Sequence, residues 1–198
     1  MRTTSRGRPG RLGLAAAALA IALLGSSCTG DGKDTPEGET SSSPSEPPPL
    51  ATTVKVGAIA GKLSTQSAQQ YVDQIGAAVD GWIDGAFITG DYPRTAFDNA
   101  FPGFTRGAAA QAAKDGALMT NADIGARIDG VTATTRVVKV DLLAVKQQVR
   151  GATAHVRLVF ETSGQLQRQV TVTGRLLLTP DKSGEWQVFA YDVSKGAV

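Results

Sequence analysis

Ala152-Thr153-Ala154-His155-Val156-Arg157-Leu158-Val159-Phe160 alternates apolar and polar residues with a period of two, the pattern of a strand with one covered face. Ala154, Val156, Leu158 and Phe160 fall on the covered side, whereas His155 and Arg157 fall with Glu161 on the other. The same period continues outward in both directions. Val138, Val140, Leu142 and Ala144 share a face before it, and Val170, Val172, Leu176 and Leu178 share one after it. Four strands are predicted over about 131–147, 152–162, 167–179 and 185–194, punctuated by Gly151, Ser163-Gly164 and the run Pro180 to Gly184.

Upstream the period lengthens. Ala68, Val72, Ile75, Val79, Trp82 and Ala86 recur at spacings of three and four, with Tyr71, Ile83 and Phe87 widening the stripe. This predicts a helix from about 65 to 88, capped by Ser64 and carrying Asp73, Asp80 and Asp84 on its polar side. A short helix is expected over 94–100 and another over 106–118 with Thr105 as its cap, and residues 52–60 read as a short strand. Helices first and hairpin-linked strands afterwards give an α+β domain, with N-terminal helices packed on one face of a curved antiparallel sheet of about four strands.

The N-terminal stretch is of a different kind. Arg2, Arg6, Arg8 and Arg11 precede an apolar run of 13 residues, Leu12 to Leu24, too short to span a bilayer and proportioned as a signal peptide. It leads into Leu24-Gly25-Ser26-Ser27-Cys28, which resembles the lipobox of bacterial lipoproteins. The resemblance implies transfer of a diacylglyceryl group to the Cys28 sulfur, cleavage between Ser27 and Cys28, and anchorage by acyl chains such as palmitate on the outer face of the bacterial cytoplasmic membrane. Gly25 departs from the large aliphatic residue favoured three places before the cysteine, and Leu24 stands one place further back. The reading also explains why the chain holds a single cysteine, which admits no internal disulfide.

Three parts follow: a signal peptide over 1–27, a lipidated Cys28 with a Pro/Ser/Glu-rich tether over 28–50, and an α+β domain over 51–198. Residues 29–50 contain no aliphatic or aromatic side chain before Leu50, so they are expected to be disordered, with a coil reach of about 25 Å. Removing residues 1–27 takes away four arginines and no acid, turning a net charge of +2 into −2. Within the domain the charge is uneven: residues 51–130 carry six bases and eight acids, residues 131–198 nine and five. No part has the concentrated basic patch that nucleic acid binding requires.

The order of elements, closed by the strand Glu185-Trp186-Gln187-Val188-Phe189-Ala190-Tyr191-Asp192-Val193, is similar to the cystatin-like, nuclear transport factor-like cone shared with ketosteroid isomerases. The resemblance covers residues 52–194 and rests on element order and one strand, so no catalytic residue is carried over. It implies a pocket between the helices and the concave sheet. Gly90-Asp91-Tyr92-Pro93-Arg94 and Phe101-Pro102-Gly103-Phe104-Thr105 look like signatures of an uncharacterised family of actinobacterial-type lipoproteins.

Chemistry is sparse. His155 is the only histidine and Cys28 the only cysteine, so no zinc site of usual composition can be assembled. Asn121 and Asp123 begin a calcium-loop pattern that fails at Gly125, Ala126 and Thr132, and the glycines form no phosphate-cradling loop, so no cofactor or metal is assigned. Asp91, Tyr92 and Asp98 are the candidate pocket residues, a base and an oxyanion donor if the cone is open. Against that role, Asp91-Tyr92-Pro93 reads as a turn and Arg94 with Asp98 as a surface pair. Lys139, Arg157 and Arg175 lie on the polar sides of their strands and define a mildly basic face suited to an anionic wall polymer, lipid headgroups or a protein partner. The leading expectation is a tethered, non-enzymatic binding or accessory domain. The alternative is a small enzyme or small-molecule binder using the cone, and a cone filled by Trp82, Phe87, Phe104 and Phe160 would remove it.

Overall fold

The computed structural model describes residues 49–197; the expected signal peptide, Cys28 and the expected tether as far as Pro48 lie outside them. α1 (Thr65–Ile83) begins at its expected cap, where Ser64 Oγ accepts the Ser67 N–H at 3.1 Å. Its buried stripe includes Ala68, Val72, Ile75, Val79 and Trp82, as the spacing predicts. A wider turn over Asp84–Ile88 extends the winding to the predicted end, closed by the Thr89 N–H donating to the Asp84 carbonyl at 2.9 Å.

Residues 94–100 do not form the expected helix. The Arg94 N–H donates to the Gly125 carbonyl at 2.8 Å, and its guanidinium donates to the carbonyls of Thr89, Gly85 and Ala96 at 2.8–2.9 Å while lying 4.1 Å from the Phe97 ring centre. A side chain thus satisfies loop carbonyls that would otherwise need backbone partners. Downstream, the expected helix over 106–118 is split into α2 (Arg106–Lys114) and α3 (Gly116–Met119), with Thr105 Oγ1 capping the first by accepting the Ala108 N–H at 3.3 Å.

The sheet has five strands rather than about four, and it is mixed. β1 (Thr53–Ala60), β2 (Gly130–Val145), β3 (Gln148–Ser163), β4 (Gln169–Pro180) and β5 (Trp186–Ala197) lie side by side in chain order. β2 to β5 form the antiparallel meander, but β1 runs parallel to β2, with Lys55 beside Lys139 and Ala60 beside Leu143. A parallel neighbour needs a long crossover, and the helical stretch between β1 and β2 supplies it. The first hairpin also turns earlier than Gly151 suggests. Lys146 and Gln147 both take positive φ, 51° and 62°, the left-handed pair of a two-residue turn whose twist matches its strands. Gly151 lies inside β3 opposite Leu143, beside an irregularity in the register.

Every inward residue predicted from the alternation is buried: Val138, Val140, Leu142 and Ala144; Ala154, Val156, Leu158 and Phe160; Val170, Val172, Leu176 and Leu178. The space between sheet and helices is occupied by aromatic rings. Trp82 meets Phe87 at 5.4 Å and Phe104 at 6.3 Å, and Phe87 meets Phe160 at 6.1 Å between ring centres. The Trp82 indole N–H donates to the Met119 carbonyl at 3.1 Å, so the largest core side chain leaves no polar atom unpaired.

Candidate functional site

With its inward face covered by helices, the sheet presents its other face outward, and the register arranges charge there. Lys55, Lys139, His155, Arg175 and Asp192 are consecutive cross-strand partners, one on each strand. Arg157 lies two residues along β3 on the same face, between Val137 and Thr173. The three basic residues singled out by sequence are therefore brought together. Arg175 pairs with Asp192 at 2.8 Å, whereas Lys55, Lys139 and Arg157 meet no carboxylate among the described residues.

His155 also acquires a partner that sequence alone does not reveal. Its Nε2 lies 2.9 Å from Asp141 Oδ2, and Asp141 Oδ1 accepts the Ala58 N–H at 2.7 Å. Partial burial works to raise the Asp141 pKa, but these hydrogen bonds outweigh it and hold the carboxyl below its ordinary value. Gly57 makes room for this arrangement: a Cβ there would stand 2.0 Å from Asp141 Oδ1.

Beyond Asp141 the face turns apolar. Leu143, Val145 and Phe189 are each about half exposed, at 51%, 49% and 48%. Phe189 sits at an irregularity between the pairs Leu177–Ala190 and Leu178–Val188, which leaves it without a cross-strand partner. Leu143, Leu177 and Phe189 border a shallow depression of about 330 Å³, and the missing side chain of Gly151 helps to open it.

Asp91, Tyr92 and Asp98 are not brought together in an interior pocket. Tyr92 is held by its hydroxyl, which donates to the Phe87 carbonyl and accepts from the Asn121 side-chain amide, both at 3.0 Å. Burial raises its pKa and the Asn121 bond works against that rise. Asp91 is exposed, and Asp98 lines an open surface groove of about 570 Å³ with Phe97, Phe101, Pro102, Ala109 and Ala113. Arg94 is committed to loop carbonyls instead of Asp98.

Two polar clusters escaped the sequence reading. Arg136 is buried, bonded to Asp80 and to Thr52 Oγ1 (2.8 Å), with Asp84 Oδ1 also at 2.8 Å. The signal was present, since Arg136 shares the inward parity of Val138 and Val140 and needed the helix acids as partners. Lys195 Nζ donates to the carbonyls of Ala117 and Thr120, at 2.8 and 2.7 Å, and to Asp123. Burial lowers its pKa, opposed by Asp123. Each cation is fully engaged and reads as structural. Among the described residues no three His, Cys, Asp or Glu side chains gather as a metal site, and no helix is long and apolar enough to cross a membrane. Comparison with known proteins finds no family model, no curated protein and no solved structure that matches the chain.

Proposed function

We propose that the protein is an extracytoplasmic lipoprotein, anchored through Cys28 to the outer face of the cytoplasmic membrane, whose domain is a non-enzymatic binding or accessory module. The observation that carries the reading is the contrast between the two sides of the sheet. Trp82, Phe87, Phe104 and Phe160 occupy the space a cone pocket would need, while the outward face carries a row of basic residues beside exposed Leu143, Val145 and Phe189. We read the arrangement as a filled variant of the nuclear transport factor-like cone, with β1 added in parallel at the edge. A small-ligand reading draws support only from the groove beside Asp98, whose volume of about 570 Å³ lies in the usual range for ligand sites.

The anchor is tested in producing cells. The wild-type chain should fractionate with membranes and show an N-terminus of acylated Cys28 by mass spectrometry, and Cys28→Ala should lose that modification. A wild-type chain that keeps residues 1–27, or begins elsewhere without lipid, would contradict the reading.

A further inference from the structure

We propose that the apolar end of the outward sheet face, with its basic surround, is a docking surface for an anionic phospholipid bilayer, so that the domain lies down on the membrane to which it is anchored. The inference rests on the anchored-lipoprotein reading and says what the domain does once tethered. β1 and β2 run parallel, and two of the three hairpin turns, β2–β3 and β4–β5, fall at the end of the sheet where β1 finishes, the β3–β4 turn lying at the other end. At this end Leu143, Val145 and Phe189 stand half exposed. The chain segments that turn there bring exposed Lys62, Lys146, Arg150 and Lys182, and Lys139 lies two residues from Asp141 on the same face.

The nearby acids are largely occupied. Asp141 bonds to His155 and the Ala58 N–H, and Asp181 accepts from the Ser183 and Glu185 N–H groups within the β4–β5 turn. Hydrogen bonding leaves these carboxylates charged, and with Glu185 they make three acids against the five bases Lys62, Lys139, Lys146, Arg150 and Lys182.

Aliphatic and aromatic side chains ringed by bases match a bilayer interface, where acyl chains take the first and anionic headgroups attract the second. An anionic wall polymer would account for the bases but leave Leu143, Val145 and Phe189 in water. Tethering also lowers the affinity required. The 25 residues from Cys28 to Thr52 span at most about 90 Å, so docking is intramolecular at high effective concentration. A face that binds weakly in free solution is then engaged most of the time.

The test uses the chain from residue 28 onward with Cys28→Ser, so that neither lipid nor signal peptide contributes. The chain has no other cysteine, so Val145→Cys and, on the helical side, Gln111→Cys can each carry one polarity-sensitive dye. Vesicles of phosphatidylglycerol and phosphatidylcholine should blue-shift the dye at 145 and leave the dye at 111 unchanged, with the effect weakened by salt and absent on pure phosphatidylcholine. In sedimentation with the same vesicles, Lys146→Gln with Arg150→Gln should weaken partitioning about thirtyfold, roughly fivefold for each charge. Leu143→Asp with Phe189→Asp should weaken it at least tenfold, with an unchanged circular dichroism spectrum. Absent vesicle binding, binding indifferent to these substitutions, burial of the 145 dye in a protein dimer, or binding to anionic polymer without lipid would each overturn the proposal. Because this chain lacks Cys28, such a failure is distinct from failure of the anchor, which the N-terminal mass reads separately.

Discussion

The two faces of one sheet are built from alternate residues of the same strands and have opposite character. Inward, Ala154, Val156, Leu158 and Phe160 are buried, and the cations on the helix side, Arg136 and Lys195, are enclosed by carboxylates and carbonyls. Outward, His155 and Arg157 are exposed, and Lys139 and Arg157 stand without a carboxylate partner among the described residues. The inward cations are therefore held by architecture, while outward Lys139 and Arg157 are left to meet a partner, beside the paired Arg175–Asp192 and His155–Asp141. The contrast separates residues whose loss should unfold the protein from residues whose loss should alter only what it binds.

The largest effect should come from the filled interior. Phe160→Ala removes a fully buried ring that packs on Phe87 and should cost about 3–5 kcal/mol in chemical denaturation. A cost below about 1 kcal/mol would mean that the space is not packed as described. Next, Arg136→Leu strands Asp80 and Asp84, whose side chains are a little over one-third exposed. The loss should be about 2 kcal/mol, between the value of a surface pair and that of a buried one. Combining it with Asp80→Asn should recover part of that loss, the non-additivity that marks a direct interaction.

A smaller effect belongs to the outward face and to pH. Asp141 is held below its ordinary pKa, so it contributes stability that is full above the ordinary carboxylate value of 3.8 and is lost as pH falls through the folded value. Asp141→Asn should flatten the acid limb of the stability curve below about pH 4. Gly57→Ala should act in the same direction by driving a Cβ into the carboxylate. The smallest effect is expected for Lys139→Gln, within about 0.5 kcal/mol of wild type, although it removes charge from the proposed docking face. Large destabilisation by that substitution would show that the two faces are not separate in the way described.

The part of this division that was legible in the sequence is the part governed by local period. Val138 to Ala144, Ala154 to Phe160 and the stripe of α1 announce their burial because one covered face forces apolar residues to recur at the period of the element. What was illegible depends on partners distant in the chain. The parallel pairing of Lys55 with Lys139 and the meeting of His155 with Asp141 have no local signature. The turn at Lys146-Gln147 was hidden because neither residue is a glycine and Gly151 gave the louder signal nearby. Arg94 reads as a helix residue by composition, but its guanidinium binds three loop carbonyls that only the folded chain brings within reach. Of the candidate site, the outward position of Lys139, Arg157 and Arg175 followed from parity, whereas their alignment across adjacent strands required the register.

Hydroxyl-radical footprinting of the chain carrying the proposed lipid at Cys28 on phosphatidylglycerol-containing vesicles, compared with the Cys28→Ser chain free in solution, tests the division between faces most directly. Protection should appear at Leu143, Val145 and Phe189, while Phe101, Pro102 and Ala109 along the helix-side groove remain as reactive as in the free chain. Protection confined to that groove, with Leu143, Val145 and Phe189 still fully reactive, would contradict the assignment of the outward sheet face as the working surface.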